Sequence, residues 1–363
     1  GWILVILILH IVFALKPWRR IHFNASERLQ NMKVKHIYQR SVPALGLVSL
    51  AIVVYACFAC AKNKQATVRL MTLPTIGDVE HELTRLDDCA NLYLPIYRLA
   101  FSVYANSLAS QQIKKLIKAK NNVQVDSCTF RSPNIMFIIG ESYNRHHAQI
   151  YGYGMKTTPE QDKLERSGML NKFTDVIAPW NLTSYVFKNV FSLHVVGEQG
   201  EWCDYPLFPE VFRKAGYHVT FLTNQFLPKA KEAVYDFSGG FFLNNPELSA
   251  AQFDTRNNSL HPFDDGLLRD YDKLKSQNKQ HNLIIFHLAG QHVSYNTRCP
   301  KNQRKFSPDD YDRPDLNARQ RGILCDYDNA VHYNDSIVRE IVRLFEDQDA
   351  IVIYMPDHGE ECF

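Results

Sequence analysis

The sequence predicts an α/β fold with a parallel sheet, preceded by membrane-spanning helices. First, short apolar runs bounded by Pro or Gly recur through residues 131–363, as expected of strands that are buried on both faces of a sheet. Second, these runs alternate with helical patterns, which favours βα units. Third, the long apolar runs are concentrated in residues 1–61. The formal net charge of the 363-residue chain is +3, which argues against a nucleic-acid partner.

Residues 1–61 are predicted to contain two membrane spans, of which the first is truncated. Gly1–Leu15 is almost entirely apolar, and Ser41–Ala61 has no charged residue over a length that suffices to cross a bilayer. The loop 16–40 between them has seven Lys and Arg residues and one acid, Glu27, which predicts a cytoplasmic location for this loop. Everything after the second span is then extracytoplasmic. Because the chain starts inside an apolar run without an initiator Met, we expect a fragment truncated at both ends.

Residues 62–130 are predicted to bridge the membrane and the catalytic region. The aromatic-rich stretch Leu92–Tyr104 is too interrupted to span, so we expect either a helix along the membrane surface or an ordinary packing helix. Six cysteines lie outside the predicted spans, where disulfides can persist, but six allow 15 pairings and no connectivity is predicted. They are Cys89, Cys128, Cys203, Cys299, Cys325 and Cys362.

Five apolar runs in the region 131–363 predict strands. In chain order they are Asn134–Ile139, Phe173–Ile177, Tyr217–Leu222, Leu283–Phe286 and Ala350–Met355. The first is bounded by Pro133 and Gly140, which is typical of a strand inside a parallel sheet. Open α/β sheets place their active sites beyond the carboxyl ends of such strands. The residues that follow each run are therefore candidates for function.

Helical patterns separate these strands. Helices are predicted from Pro159, at Phe208–Lys214 and at Tyr327–Phe345. Thr183 and Ser184 follow a turn that contains Pro179, a pattern typical of a helix N-cap. A hydroxyl at this position would also be well placed to attack a phosphate, because the free N–H groups and dipole of a helix N-terminus favour anions.

Chemically active side chains follow three of the predicted strands. Glu141 follows the first strand, His287 and His292 follow the run at 283–286, and Asp357 with His358 follows the last. Taken singly, each is more simply a solvated carboxylate or a structural histidine. Three strand ends at one sheet edge are hard to explain by packing, and carboxylate, imidazole and hydroxyl groups are ligands that zinc accepts. The sequence therefore predicts a metal site at this edge.

Several segments of the chain share a pattern with one known family. They are Asn134–Ser142, Tyr151–Tyr153 with Thr157–Pro159, Ala215–Tyr217 through Thr223–Gln225, His287–His292 with Tyr295 and Arg298, Tyr327–Asn329 with Tyr333–Asp335, and Asp357–Glu360. As a set they resemble bacterial phosphoethanolamine transferases of the lipopolysaccharide-modifying kind, within the alkaline phosphatase and sulfatase superfamily. The resemblance implies an alkaline-phosphatase/sulfatase-like sheet with helices on both faces, and it covers residues 131 to 363.

The resemblance also implies roles for individual residues. Glu141, Asp357 and His358 match zinc ligands, with Thr183 as the fourth ligand and the nucleophile; the adjacent Ser184 remains an alternative nucleophile. The site would hold one Zn²⁺ ion or more. His292 matches a histidine that contacts the substrate phosphate, and His287 and Asn224 are assigned to the substrate side of the site. Two departures stand out: Glu361 replaces the Ser that usually follows Asp-His-Gly-Glu, and Gln291 precedes His292.

The activity implied is a zinc-dependent transfer of phosphoethanolamine from phosphatidylethanolamine to a surface glycolipid, lipid A or the lipopolysaccharide core, through a covalent phospho-threonine. The implied protein is a monomer in the bacterial inner membrane, with its catalytic domain in the periplasm and membrane lipids as partners. Two alternatives remain open: a phosphoglycerol transferase of the lipoteichoic-acid-synthase type, and a membrane-anchored binding protein on a catalytically inactive scaffold. A further active-site histidine is expected beyond the Asp-His-Gly-Glu segment.

Overall fold

The computed structural model describes residues 34–85, 95–225, 227 and 242–363. The first predicted span and most of the predicted cytoplasmic loop lie outside the described residues, as does Cys89. The chain divides into two compact units, residues 1–108 and 109–363.

The described part of the first unit is helical. Its helices are α1 (Val34–Ala59), α2 (Ala61–Leu70), α3 (Ile76–Arg85) and the beginning of α4 (Pro95–Asn122). Leu70, Ile76 and Phe101 are buried in a small shared core of this unit. No single described helix is long and apolar enough to cross a membrane, whereas Gly46–Ala59 and α2 satisfy that test together as a pair bent by 51°. The predicted second span overlaps this pair.

The second unit is built on a five-stranded parallel sheet. Its strands are β1 (Asn134–Gly140), β2 (His218–Thr223), β3 (Thr255–Arg256), β4 (Asn282–His287) and β5 (Ala350–Pro356). The strand order is β3-β2-β4-β1-β5, and every pair is parallel. The unit's helices after α4 are α5 (Pro159–Arg166), α6 (Thr183–Phe191), α7 (Phe208–Lys214), α8 (Pro246–Gln252), α9 (Asp265–Leu274) and α10 (Ala318–Arg343).

Helices cover both faces of this sheet. On one face, Ile139 and Ile285 pack with aromatic residues such as Phe187 of α6. On the other face, Met136 packs with residues of α9 and α10 such as Ile341. All six residues of β4 are buried, as expected of a strand with neighbours on both sides and helices on both faces. The expected α/β architecture is thus confirmed for this unit.

The strand register aligns the carboxyl ends that the sequence singled out. Ile139 pairs with His287, Gly140 pairs with Pro356, and Thr223 of β2 also pairs with His287. The residues that follow β1, β2, β4 and β5 therefore emerge at the same edge. This arrangement fixes the place of the candidate site.

Most predicted elements are confirmed, and the differences have local causes. The helix predicted at 327–345 begins at Ala318, because Asn317 and Gln320 form a capping box that local apolar spacing does not reveal. The strand predicted at 173–177 is wrong. Its apolar side chains are exposed, Ile177 by 86%, and the segment pairs with no described strand. The cysteines in the described residues are free thiols.

Candidate metal centre

Glu141 lies at the centre of the candidate site, immediately after β1. Its side chain is fully buried and accepts hydrogen bonds from Ser142 Oγ at 2.7 Å, Gln225 Nε2 at 2.8 Å and Thr183 Oγ1 at 3.0 Å. Burial favours the neutral acid, but the hydrogen bonds from Ser142 and Gln225 outweigh it and hold the pKa of Glu141 below its ordinary value. Glu141 is therefore a buried anion, which needs a compensating cation.

Asp357 brings a second carboxylate to the same point. Its Oδ1 accepts the backbone N–H of Ser142 at 3.0 Å and that of His358 at 2.7 Å. Burial, and then the charge of Glu141, raise the pKa of Asp357 to about 7. Its Oδ2 is buried without a hydrogen-bond partner in the described part of the chain. Two carboxylates with oxygen atoms within 4.8 Å of each other, one of them with an unsatisfied oxygen, are typical of a cation site.

His358 turns its lone pair toward these carboxylates. Its Nδ1 lies 2.7 Å from the carbonyl oxygen of Gly359, an acceptor, so Nδ1 must bear the proton. Nε2 then faces Glu141 Oε1 at 3.4 Å and Asp357 Oδ2 at 3.3 Å. A lone pair directed at two carboxylate oxygens is repulsive unless a proton or a metal ion lies between them. One ligand atom from each of these three residues lies within 4.8 Å of the others.

The donor set fits zinc. Two carboxylates and an imidazole, oriented through its other nitrogen, could supply the three protein ligands of a catalytic zinc site with one open position. The unsatisfied Oδ2 of Asp357 and the Nε2 lone pair of His358 are the observations that support this assignment. The structure brings Glu141, Asp357 and His358 together as the sequence predicted, and their role as zinc ligands stays a prediction.

Thr183 is the hydroxyl residue that the structure brings to this group. It is the first residue of α6, follows the extended Leu182, and is buried. Its Oγ1 lies 3.0 Å from Glu141 Oε2 and 3.5 Å from His358 Nε2. Ser184, the alternative, forms no hydrogen bond to these ligands in the described structure. Position at a helix N-terminus gives Thr183 free backbone N–H groups nearby, which suits an anionic substrate.

His292 and His287, which were also predicted for the site, differ in their burial. His292 is half-buried, and its imidazole contributes to the lowered pKa of Glu141. His287 is fully buried; its Nδ1 lies 2.9 Å from Thr223 Oγ1, its ring packs against Phe187, and burial lowers its pKa to about 4. This placement favours support of the site over substrate contact, which stays a prediction for His287.

Asn224 has both ends of its amide engaged. It donates to Asp264 Oδ1 at 2.9 Å and accepts the backbone N–H of His261 at 2.7 Å. A contact between Asn224 and substrate likewise stays a prediction.

Two residues of the site were missed at the sequence level. Gln225 donates to Glu141 Oε2 and, at 2.7 Å, to the carbonyl oxygen of Leu288. Ser142 adopts a left-handed conformation with φ 51°, which turns its hydroxyl back onto Glu141. Both residues lie in segments that carry the family resemblance. Their contacts with Glu141 depend on the geometry of the turn after each strand.

With the fold and the site described, the chain can be placed among known proteins. Residues 133–363 match the sulfatase family, and the chain belongs to that family. Its relatives include phosphoethanolamine transferase EptC of Escherichia coli (strain K12), 28% identical over 265 residues, which cover 70% of this chain and 45% of that protein. Phosphoethanolamine transferase EptA of Helicobacter pylori is 30% identical over 239 residues, covering 63% of this chain and 43% of that protein. The chain thus spans about half the length of the curated relatives it matches.

Solved structures agree with this placement. The periplasmic domain of Escherichia coli EptC, crystallised in complex with zinc, matches with a TM-score of 0.56 and 28% identity, over 64% of this chain and 65% of that one. The integral membrane protein EptA from Neisseria meningitidis matches with a TM-score of 0.52 and 17% identity, over 92% of this chain and 58% of that one. At that identity the second match concerns the fold alone.

Proposed function

We propose that this chain is the zinc-binding catalytic part of an inner-membrane phosphoethanolamine transferase, which moves phosphoethanolamine from phosphatidylethanolamine to lipid A or the core of lipopolysaccharide in the periplasm. The observation that carries the proposal is the 3.0 Å hydrogen bond between Thr183 Oγ1 and Glu141 Oε2, at the N-terminus of a helix. Relatives of the chain are named phosphoethanolamine transferases, which supports phosphoethanolamine as the transferred group. A zinc complex of one of them supports the metal.

Thr183 is the nucleophile in this mechanism. Its Oγ1 attacks the phosphorus of the donor, the Oγ1–P bond forms, and the P–O bond to diacylglycerol breaks. The hydroxyl proton passes to Glu141 Oε2, which already accepts a hydrogen bond from Thr183 Oγ1. The leaving oxygen of diacylglycerol takes up the proton that Glu141 received, so Glu141 is an anion again. Phosphoethanolamine remains on Thr183, so one difficult step becomes two easier ones.

The second step reverses the roles. A hydroxyl or phosphate oxygen of the glycolipid attacks the same phosphorus, its proton passes to Glu141 and on to Thr183 Oγ1, and Thr183 leaves as the free hydroxyl. His292, on the loop after β4, is assigned to the phosphoryl oxygens as a hydrogen-bond donor. The backbone N–H groups at the start of α6 would donate to the same oxygens and stabilise their charge.

One zinc ion would be held by Glu141, Asp357 and His358, with Thr183 at the fourth position. When bound, it would lower the pKa of the Thr183 hydroxyl and offset the charge of the phosphoryl group. The predicted membrane spans would keep the site close to both lipids, which raises their effective concentration.

Thr183→Ala and Thr183→Ser test the nucleophile. We expect Thr183→Ala to abolish both the labelled covalent intermediate and the mass increment of one phosphoethanolamine on lipopolysaccharide. Thr183→Ser should retain a measurable fraction of each, and the control Ser184→Ala should retain both. Lipid mass spectrometry of cells expressing the full-length protein measures the mass increment, and label retained on the denatured protein measures the covalent intermediate. A labelled intermediate on Thr183→Ala would refute the assignment.

The identity of the transferred group and the zinc content of the purified protein separate the remaining alternatives. Transfer of phosphoglycerol in place of phosphoethanolamine would identify a lipoteichoic-acid-synthase type of activity. A purified protein without bound zinc and without turnover would identify a binding protein on an inactive scaffold. If the chain is a transferase, we expect at least one bound zinc ion per chain. We expect Glu141→Ala to lose that metal.

A further inference from the structure

A buried carboxylate outside the metal centre connects two of the strand ends that form it. Asp264 lies just before α9, and its side chain is buried. Its Oδ1 accepts from Asn224 Nδ2 and from the backbone N–H of Ala289, each at 2.9 Å, and its Oδ2 accepts the backbone N–H of Gly290 at 2.9 Å. One carboxylate thus binds the residue after β2 and the loop after β4.

The loop that Asp264 holds is packed directly on Glu141. Gly290 has a left-handed φ of 44°, and a Cβ added to it would lie 3.0–3.1 Å from the backbone N, the backbone O and the Cβ of Glu141. The backbone N–H of Gln291 donates to the carbonyl oxygen of Glu141 at 3.3 Å. The loop and Glu141 are closely packed, so a displacement of residues 289–290 must either displace Glu141 or break this contact.

The same loop continues to His292. Arg298 holds its far side, because its guanidinium donates to the carbonyl oxygen of His292 at 3.0 Å and to that of Val293 at 3.1 Å. Asp264 and Arg298 therefore fix the two halves of the segment 289–293. The fixed loop places one assigned phosphate contact and supports one metal ligand.

The alternative is that Asp264 serves only the stability of the fold. A carboxylate buried without a cation costs free energy unless its hydrogen bonds recover it. Three hydrogen bonds from Asn224, Ala289 and Gly290 are a strong set, and all of them converge on the edge where the site lies. An amide at this position could not satisfy them, because its NH₂ group would face at least one of these N–H donors.

We propose that Asp264 is a positioning residue, which fixes the loop 289–292 so that Glu141 and His292 hold the geometry required by the metal and the phosphoryl group. This inference rests on the proposed function for its consequence in catalysis. It makes a separate claim about the protein in the absence of substrate: the loop is held by Asp264.

The test compares Asp264→Asn with Asp270→Asn in the full-length protein. Asp270 is a matched control, since it is also buried and its Oδ2 lies 2.7 Å from His261 Nε2, but in the described part of the chain it forms no hydrogen bond with the loop after β4. Three quantities are measured: deuterium exchange of the peptide that contains residues 288–292 in the metal-free protein, the Kd for zinc, and kcat and KM for transfer.

For Asp264→Asn we expect at least tenfold faster exchange in this peptide, a Kd for zinc that is 10–100-fold weaker, and a fall in kcat that exceeds any change in KM. For Asp270→Asn we expect a lower Tm with exchange of this peptide, zinc affinity and kcat close to those of the wild type. Equal behaviour of the two variants in all three measurements would overturn the inference.

A reciprocal variant guards against simple misfolding. Asp264→Asn combined with Asn224→Asp restores a carboxylate–amide pair between the two positions and leaves one oxygen of residue 264 for the loop. We expect it to recover part of the lost zinc affinity and part of the slow exchange. A double variant no better than the single one would argue against the inference.

These outcomes are distinguishable from failure of the proposed function. If Thr183→Ala retains the covalent intermediate, the reaction is wrong, while exchange and zinc affinity still decide the role of Asp264. If the reaction is right and Asp264→Asn has the loop exchange and zinc affinity of the wild type, only the positioning role fails.

Discussion

At the scale of single residues, Gly140 shows how closely the site is fitted to the sheet. It is the last residue of β1 and directly precedes Glu141. A Cβ at this position would lie 2.8–3.2 Å from the ring and hydroxyl of Tyr354 on β5. That ring is held in turn by a hydrogen bond from Asn334 Nδ2 at 2.9 Å and by an edge contact with Tyr143. Any side chain at residue 140 therefore displaces a fixed ring.

Gly140→Ala should lower the free energy of unfolding by about 1–3 kcal/mol, because the new methyl group overpacks the contact with Tyr354. Gly154→Ala is the matched control. A Cβ at residue 154 meets nothing within 4 Å, and its φ is not left-handed. Urea unfolding of the purified protein measures both. Equal stability of the two variants would show that Tyr354 can move aside.

At the scale of elements, the start of α5 is tied to α10 by a carboxylate. Asp335 of α10 accepts the backbone N–H groups of Glu160 at 2.7 Å and Gln161 at 3.1 Å, so one helix provides the cap of another. The helix N-terminus favours a negative charge, but burial is the larger effect and raises the pKa of Asp335 to about 6. Asp335 therefore caps the helix mainly through its two hydrogen bonds, and its negative charge contributes less.

This raised pKa predicts a pH dependence of stability with a definite sign. Between pH 4 and pH 6 the unfolded chain loses the proton of Asp335 while the folded chain retains it. The contribution of Asp335 to the free energy of unfolding is therefore full below pH 4 and falls by about 2–3 kcal/mol as the pH rises through 6.

Asp335→Asn does not titrate in this range. The difference in free energy of unfolding, wild type minus Asp335→Asn, should thus decrease from pH 4 to pH 6 and stay constant above about pH 7. Chemical unfolding at a series of pH values measures it. Ser336→Ala, a neighbouring change without a titrating group, should give a difference that does not vary with pH. An Asp335→Asn difference that is flat or rises over this range would contradict the assignment.

At the scale of the whole molecule, the chain combines a helical unit with a sulfatase-family unit. The pair Gly46–Ala59 and α2 could cross a bilayer by length and composition, and a basic loop precedes it in sequence. The proposed topology places loop 16–40 in the cytoplasm and residues 109–363 in the periplasm.

Membrane fractionation and protease accessibility test this topology. We expect the full-length protein to stay in the membrane pellet after extraction with alkaline carbonate, since apolar spans and not surface charge would retain it. In spheroplasts, external protease should digest residues 109–363. A cytoplasmic protein examined in parallel should stay intact. Release by carbonate, or protection of residues 109–363 in intact spheroplasts, would contradict the proposed topology.

Local sequence patterns predicted much of the sheet and which residues meet at the candidate metal centre. Runs such as 283–286 are buried on both faces, and such strands are apolar throughout, so composition alone locates them. Glu141, Asp357 and His358 were found because each directly follows such a strand, and parallel strands bring their ends to one edge. The segment 173–177 misled the prediction because a strand also needs a neighbour to pair with, which no local pattern supplies.

What the sequence did not predict depends on contacts between distant loops. Gln225 reaches Glu141 across 84 positions of the chain, and Asp264 reaches Gly290 across 26. An amide or a carboxylate in a polar loop has no local signature that names its partner. Such residues are found only once the strand order places the loops side by side.

The strand order β3-β2-β4-β1-β5 has a consequence for the way the protein is made. The backbone N–H of Ser142, next to Glu141, donates a hydrogen bond to Asp357, which lies 215 positions later in the chain. In addition, β1 lies between two strands that are synthesised after it. At roughly 5–20 residues per second, the second half of the site follows the first by about 10–40 s. During export, β1 would cross the membrane long before its partners and would have to be shielded from aggregation meanwhile. The proposed three-ligand zinc site could assemble only after β5 has crossed, so metal loading would be one of the last events in the maturation of this unit.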